Sequence, residues 1–365
     1  MGRFGSFTSG FGLFLAMIPI ALIFRGIWAW VPIAITFGLV PVLDRMGGIS
    51  AWNPRPEREG LLAADRRYRT LVALWVPVGV GLTIWGLFVT AAPGLTLADR
   101  IGLILSIGFM NGVIGITYAH ELIHQPARNE QLLGDLLLAL VCYGHWHVEH
   151  VFGHHRNVAT PADPSSARRG ESFFRFYFRS VRGSLTSAIA LERARLVRAK
   201  RAPLGVHNRL IWLTLTSIAF AAIAFLTQGS LGLVFFLGQS VVAFSSLEII
   251  NYIEHYGLRR RELEPGRYEN VRPEHSWNAS QRVSNALLIN LARHSDHHAM
   301  ASRRYQILRT YDEQSVPQLP SGYAAMFLVA LVPPLWFRLM DPRVDDWNTR
   351  ERDLTTARTG VHVIA

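Results

Sequence analysis

The sequence predicts an all-α integral membrane protein, six transmembrane helices carrying a cytoplasmic, histidine-rich helical cap. Three observations predict it. Half of the 365 residues are hydrophobic and gather into long runs, the arginines concentrate in alternate connections between those runs, and nine of the fourteen histidines fall into four short clusters on one side of that topology.

The apolar runs cover about 11–24, 28–43, 70–92, 101–119, 208–227 and 231–253. Several approach the ~20 residues that a helix needs to cross a hydrocarbon core of ~30 Å. The first two are short and separated only by Arg25-Gly26-Ile27, which predicts a tight helical hairpin with a first span too short for a full crossing. The N-terminal run lacks a basic n-region and continues into a second run, so it reads as a span and not as a cleavable signal peptide. Segment 44–69 carries Arg45, Arg55, Arg58, Arg66, Arg67 and Arg69, whereas 93–100 holds one arginine and the turn 227–230 none. The positive-inside rule then puts 44–69 in the cytoplasm. Counting onward, the insertion 125–207, everything after residue 254 and both termini fall on that side of the inner membrane. Residues 1–254 thus form the transmembrane bundle with its insertion, 255–348 the cap, and 349–365 a disordered tail.

Within the insertion, Leu132, Leu133, Leu136, Leu137, Leu140 and Val141 recur at helical spacing and predict a helix over 131–150. The cluster Pro161, Asp163, Pro164, Ser165, Ser166 reads as a loop. Leu185 to Arg201 alternates apolar residues with arginine, as suits a helix on the membrane surface. The last apolar stretch, 323–340, is interrupted by Pro333-Pro334 and reads as a packed or membrane-surface segment, not a seventh span.

A formal charge of +11 could mean nucleic acid in a soluble protein, but here it is absorbed by topology, so no nucleic-acid partner is expected. The single cysteine, Cys142, excludes an intramolecular disulfide and any cysteine-ligated iron–sulfur or rubredoxin site within the chain. Cys142 itself reads as a small core residue in a helix.

His120 and His124 lie at i and i+4, on one face of a helix at the inner end of span four. His150 and His154 repeat that spacing, while His155 points about 100° away, toward a neighbouring metal. His255 closes span six, and His294, His297 and His298 form the last cluster. Nine imidazoles suit two metals at four or five ligands each. Glu149, Asp163, Glu254 and Asp296 sit beside these clusters, where they could orient imidazoles through the second ring N–H or bridge the metals. His120-Glu121-x-x-His124 is also the zinc protease pattern, but one tetrahedral zinc leaves the remaining histidines unused. A metal transporter would carry ionisable groups within its spans, and Glu248 is the main exception here. Imidazole suits several metals; with no nucleophile or phosphate loop in view, oxygen activation on iron is the better match.

Read with their flanks, these clusters resemble the membrane alkane hydroxylase family, which includes alkane 1-monooxygenases and the related xylene monooxygenase, within the wider membrane fatty-acid desaturase and hydroxylase superfamily. The likeness is carried by Asn111-Gly112 before His120-Glu121-Leu122-x-His124, by Tyr143-Gly144-His145, by Glu149-His150-x-x-Gly153-His154-His155-Arg156 through Asp163-Pro164, and by Gly170-Glu171-Ser172. It continues through Asn251-Tyr252-x-Glu254-His255-Tyr256-Gly257-Leu258, His275-Ser276-Trp277-Asn278, Arg293-His294-Ser295-Asp296-His297-His298 and Arg303-Arg304-Tyr305-Gln306, so it covers about residues 40–347. The resemblance implies two non-haem irons held by His120, His124, His150, His154, His155, His255, His294, His297 and His298. It also implies O2-dependent hydroxylation of an alkane at its terminal methyl, with electrons from rubredoxin and its NADH-dependent reductase. Gln125, Ala292 and Met300-Ala301-Ser302 depart from the family pattern without removing a ligand. A xylene-type methyl monooxygenase or a fatty-acyl desaturase or lipid hydroxylase is the alternative. His145 and His147 stay outside the ligand set. An apolar tunnel among spans one to four would deliver hydrocarbon from the bilayer, and Arg156, Arg168, Arg169, Arg303 and Arg304 would face an acidic electron carrier.

Overall fold

The computed structural model describes residues 4–359, with side chains described as far as Arg350. Helices α1 (Phe4–Phe24) and α2 (Gly26–Gly47) meet at Arg25 and Gly26, whose positive φ angles of 56° and 51° turn the chain. Helix continues through the small and polar residues flanking each apolar run, giving 21 and 22 residues. At 1.5 Å per residue each reaches ~30 Å. The short first span expected from 11–24 is therefore corrected to a full-length helix.

Helix α3 (Arg66–Ala91) begins at Asp65, which accepts a hydrogen bond from the Arg67 N–H. Helix α4 (Leu97–Ile123) opens on a capping box in which the Thr96 hydroxyl and Asp99 carboxylate each accept from the other's backbone N–H. Such a cap contributes about 1 kcal/mol. Among the described residues five helices are long and apolar enough to cross a membrane: α1 to α4 and the 47-residue α8 (Arg209–His255). Gly229 breaks α8 with a φ of 61°. The rings of Phe220 and Phe236 lie 6.3 Å apart, where a straight helix would separate them by ~24 Å, so α8 doubles back on itself. Gly232 permits the tight return, because a Cβ there would collide with the Ala224 carbonyl oxygen. The polar turn at 227–230 is thus a helical hairpin, as the sequence indicates.

Between α4 and α8 run α5 (Arg128–Leu140), α6 (145–157) and α7 (Phe173–Arg198). The single helix expected over 131–150 is instead two, because the chain turns at 141–144 with Cys142 at a φ of 56°. Cys142 is a half-buried turn residue, not a helical one. This turn does not lie on the surface. The Ser217 hydroxyl donates to the Ala139 carbonyl (2.9 Å) and Gln239 Nε2 to that of Leu140 (3.0 Å). Ser217 is ~12 Å along α8 from Arg209, so the end of α5 is sunk into the bundle. A helix end in an apolar medium leaves carbonyls whose exposure costs several kcal/mol each. Gln239 satisfies one and is itself held by Asn111, whose Nδ2 donates to Gln239 Oε1 at 2.9 Å and to Thr83 Oγ1 at 3.0 Å. The polar residues inside the spans therefore serve a re-entrant helix.

After α8 come a small antiparallel hairpin, β1 (Glu262–Glu264) and β2 (Arg267–Tyr268), which adds the only strands among the described residues, then α9 (Arg282–Leu287) and α10 (His294–Ala299). Helices α11 (Tyr323–Ala330) and α12 (Pro333–Thr359) bend by 120° at the proline pair, so the last apolar stretch packs without forming a straight span. Backbone helix continues to Thr359, correcting the tail expected to be disordered from 349; residues 360–365 of that tail lie outside the described residues. Trp277, Trp336, Tyr252 and Tyr256 form the core joining the cap to α8.

Candidate metal centre

All nine clustered histidines converge at one end of the bundle. They form two adjacent groups: His120, His124, His150, His155 and His297, then His154, His255, His294 and His298. Within each group one nitrogen per ring lies within 4.8 Å of every other. In the first group His155 Nε2 is 3.2 Å from His150 Nε2 and 3.0 Å from His297 Nε2. In the second, Nε2 separations are 2.9 Å for His294 and His298, 3.2 Å for His255 and His294, and 3.3 Å for His154 and His298.

The assignment of His150 and His154 to one metal is corrected. They fall in different groups, and His150 is joined by His155. The reason is local: 150–154 is a π turn, closed by the His155 N–H donating to the His150 carbonyl. A wider turn aligns i with i+5 instead of i+4. His154 then faces the second group with His294 and His298, which keep their i, i+4 relation on α10, while His297 turns to the first. The two groups touch through His155 and His298, stacked at 4.4 Å.

A neutral imidazole carries one N–H, so three or more rings that present the same nitrogen to each other cannot all be paired by hydrogen bonds. The separations match neighbouring corners of a coordination sphere, ~3.0 to 3.4 Å apart for metal–imidazole bonds of ~2.1 Å. His120 and His124 Nε2 are buried with no hydrogen-bond partner in the protein, as a pair of metal-facing nitrogens would be. Burial, reinforced by neighbouring imidazoles, lowers the proton affinity of His150, His155, His294, His297 and His298 well below the ordinary value, and that of His124 to about 3. These rings are neutral at physiological pH, the state in which imidazole binds a metal.

The four carboxylates fare differently. Asp163 Oδ2 accepts from His154 Nδ1 at 2.9 Å and from the Ser166 hydroxyl at 2.6 Å. Burial works to raise this carboxyl, but the facing His154 and the Ser166 hydroxyl hold it below its ordinary value. Glu254 Oε2 lies 3.2 Å from His294 Nε2, on the metal-facing side of the ring, and its Oε1 accepts from the Tyr323 hydroxyl at 2.7 Å. Glu149 meets no imidazole; its Oε1 lies 3.4 Å from the Ser187 hydroxyl, and burial beside Asp163 and Glu248 pushes it well up. Asp296 turns away from the rings to Arg303 (2.7 Å), the Arg309 N–H and the Tyr311 hydroxyl, so it braces the cap. His145 and His147 stay outside both groups; His147 pairs with Asp135 at 2.5 Å. Glu121, the base of the protease reading, accepts from Gln125 Nε2 and the Tyr305 N–H, away from the imidazoles.

Arg303 and Arg304 are not free surface cations. Arg303 pairs with Asp296 and Arg304 with Glu130, while Arg169 pairs with Asp345. Two residues that the sequence did not single out belong here. Trp146 stacks on His150 at 4.1 Å, and Tyr323 reaches Glu254 from far along the chain. Trp146 lies just before the second cluster, between His145 and His147, and could have been flagged by position, whereas nothing local marks Tyr323.

An apolar cavity has His120, His150 and His294 in its lining, and so touches both groups. It is lined by Phe14 of α1, Phe37 of α2, Val113 of α4, Ile250 of α8, and by Leu288 and Phe327 beyond the bundle. Span three contributes nothing to this lining, which corrects the expected channel of spans one to four.

An apolar helix bundle that gathers nine imidazoles at one end is a multi-pass membrane protein equipped to bind metal. Residues 95–330 match the fatty acid desaturase family. The chain is 47% identical over 319 residues to alkane 1-monooxygenase 2 of Pseudomonas aeruginosa, covering 87% of this chain and 84% of that protein. It is 44% identical to alkane 1-monooxygenase 2 of Alcanivorax borkumensis over 89% and 85% of the two chains. The hydroxylase component of the xylene/toluene monooxygenase of Pseudomonas putida is more distant, 29% identical over 93% and 90%. The chain belongs to the membrane alkane hydroxylase family, within the fatty acid desaturases.

Proposed function

We propose that this protein is a non-haem diiron monooxygenase that hydroxylates alkanes at the terminal methyl, consuming O2 and two electrons per alcohol formed. The observation that carries the reading is an apolar cavity whose lining includes members of both imidazole groups. Iron at both groups would supply the dioxygen reduction and C–H oxidation that no protein side chain can. His120, His124, His150, His155 and His297 would hold one ion, and His154, His255, His294 and His298 the other.

The chain's own residues perform the selection. An alkane offers no polar handle, so only shape can present its end to the metals. Phe14, Phe37 and Phe327 line the cavity, so a hydrocarbon chain would pack against apolar rings from which water is excluded. Glu254, which lines the cavity beside His294, is held by the Tyr323 hydroxyl, and this pair can keep a proton at the carboxyl–phenol bond near the reacting end. Asp163 fixes the His154 ring through Nδ1 and so directs Nε2 inward.

The sole cysteine leaves no cysteine-ligated electron carrier in the chain, which supports delivery by rubredoxin and its NADH-dependent reductase. The doubled α8 supports six crossings, and the arginine distribution supports an inner-membrane protein with its histidine end in the cytoplasm. Metal analysis of detergent-purified protein, combined with octane and hexadecane turnover in the presence of rubredoxin, its reductase and NADH, tests the reading. Two irons per chain and a 1-alcohol are expected. One zinc per chain without oxygen consumption would refute it.

A further inference from the structure

Away from the histidines, a second cleft of ≈ 600 Å3 opens between α5 and the start of α8 and is closed by the end of α7. Its rim is cationic, with Arg128, Arg195 and Arg209, and its wall is apolar, with Leu132, Leu136, Trp212 and Leu213. The charges do not cancel. Arg195 is engaged by Glu192 at 2.6 Å, and the one carboxylate in the lining, Asp135, is taken by His147 at 2.5 Å. The Arg128 and Arg209 guanidiniums form no ion pair among the described residues, and Glu192, already held by Arg195, accepts from the Arg209 backbone N–H at 2.7 Å. The Arg209 guanidinium lies over the Phe152 ring at 5.6 Å, half-buried, so a cation without an ion-pair partner is built into the wall.

The cleft also sits at a particular depth. Arg209 is the first residue of α8, and the Trp212 indole N–H donates to the Val206 carbonyl at 2.8 Å, a ring placed as tryptophans are at membrane–water boundaries. Leu132 of the cleft wall, and Leu215 and Ile218 further along α8, are 50%, 49% and 56% exposed, as lipid-facing side chains are. A cationic rim above an apolar groove that continues down the lipid-facing surface complements one molecule: a phosphate-bearing amphiphile with its acyl chain along the groove.

We propose that this cleft binds an anionic phospholipid, with the phosphodiester between Arg128 and Arg209 and an acyl chain against Leu136, Trp212 and Leu213. Two guanidiniums without ion-pair partners favour a headgroup of net negative charge over a zwitterionic one, whose own cation would meet the same arginine rim. The bound lipid would brace α6, because Arg209 covers Phe152 and Asp135 holds His147, both on the helix that carries His150, His154 and His155. The site is independent of the metals and of the reaction assigned above.

Native mass spectrometry of the full chain in a neutral detergent tests it, with phosphatidylglycerol, phosphatidylcholine and inorganic phosphate as probes. The wild type should retain phosphatidylglycerol roughly ten-fold better than phosphatidylcholine, as expected for one or two charge-assisted contacts. Arg128→Gln/Arg209→Gln should bring that ratio close to one, and Arg128→Gln alone, at an exposed side chain that cannot compromise folding, should lower it several-fold. Arg261→Gln/Arg267→Gln, in another arginine-lined hollow beside the β hairpin, should leave it unchanged. Equal retention of the two lipids, or equal loss in both double variants, overturns the proposal. Displacement of phosphatidylglycerol by millimolar phosphate would make this a free-anion site and overturn the lipid assignment.

Discussion

The two histidine groups are built from the same end of the bundle but are not alike. The first has five imidazoles, two of them only partly buried, and no carboxylate reaches it. The second has four imidazoles, all buried, with Asp163 on the far nitrogen of His154 and Glu254 against the near nitrogen of His294. The second group is thus the shielded, anion-supported one, while the first is the more open. The difference arises within α6, where one π turn sends adjacent residues His154 and His155 to opposite sites.

The strongest test of that division is to remove those neighbours separately. Partners outside the ligand shell are worth roughly 10–100-fold in metal affinity or activity, so losing a ligand should cost more than about 100-fold. His154→Ala should abolish metal at the second group and His155→Ala weaken it at the first, each read as metal per chain. Identical residual spectra from the two variants would collapse the two groups into one.

Acid should strike both groups. Burial depresses the imidazoles in the folded state, so the metal-free chain has this stability in full above the unfolded value of 6.5 and loses it as pH falls toward about 3 for His124. Each ring that stays neutral while the unfolded chain takes up a proton costs about 1.4 kcal/mol per pH unit. Melting temperatures of chelator-treated protein should therefore fall steadily from pH 7 to pH 5, and a flat profile would contradict burial of the rings.

Smaller effects should separate the sites. Glu254→Gln and Asp163→Asn should each weaken metal retention at the second group by roughly ten-fold and leave the first unchanged. Chelator-release kinetics, expected as two phases of which only one accelerates, would show it. Asp296→Asn should leave metal content unaltered while lowering stability by about 2 kcal/mol, because Arg303 loses its charged acceptor Asp296 and keeps only Glu59 at 3.5 Å. Loss of metal in that variant would return Asp296 to the site.

Much of this was legible in the sequence. Run lengths and arginine distribution gave the bundle, and i, i+4 spacing joined His120 to His124, while His294, His297 and His298 were legible only as one cluster. What stayed hidden depends on backbone geometry or on distance along the chain. The π turn at His150 inverts the face that α-helical spacing predicts. The burial of α5 reads as an amphipathic insertion until Gln239 and Ser217 are seen to satisfy its final carbonyls. Tyr323 meets Glu254 only because α11 folds back beside α8.

The central claim, two neighbouring but unequal metal sites, is most directly tested by Mössbauer spectroscopy of the protein loaded with 57Fe. Two iron signals of equal area and distinct parameters are the predicted result. A single signal corresponding to one iron per chain would contradict it.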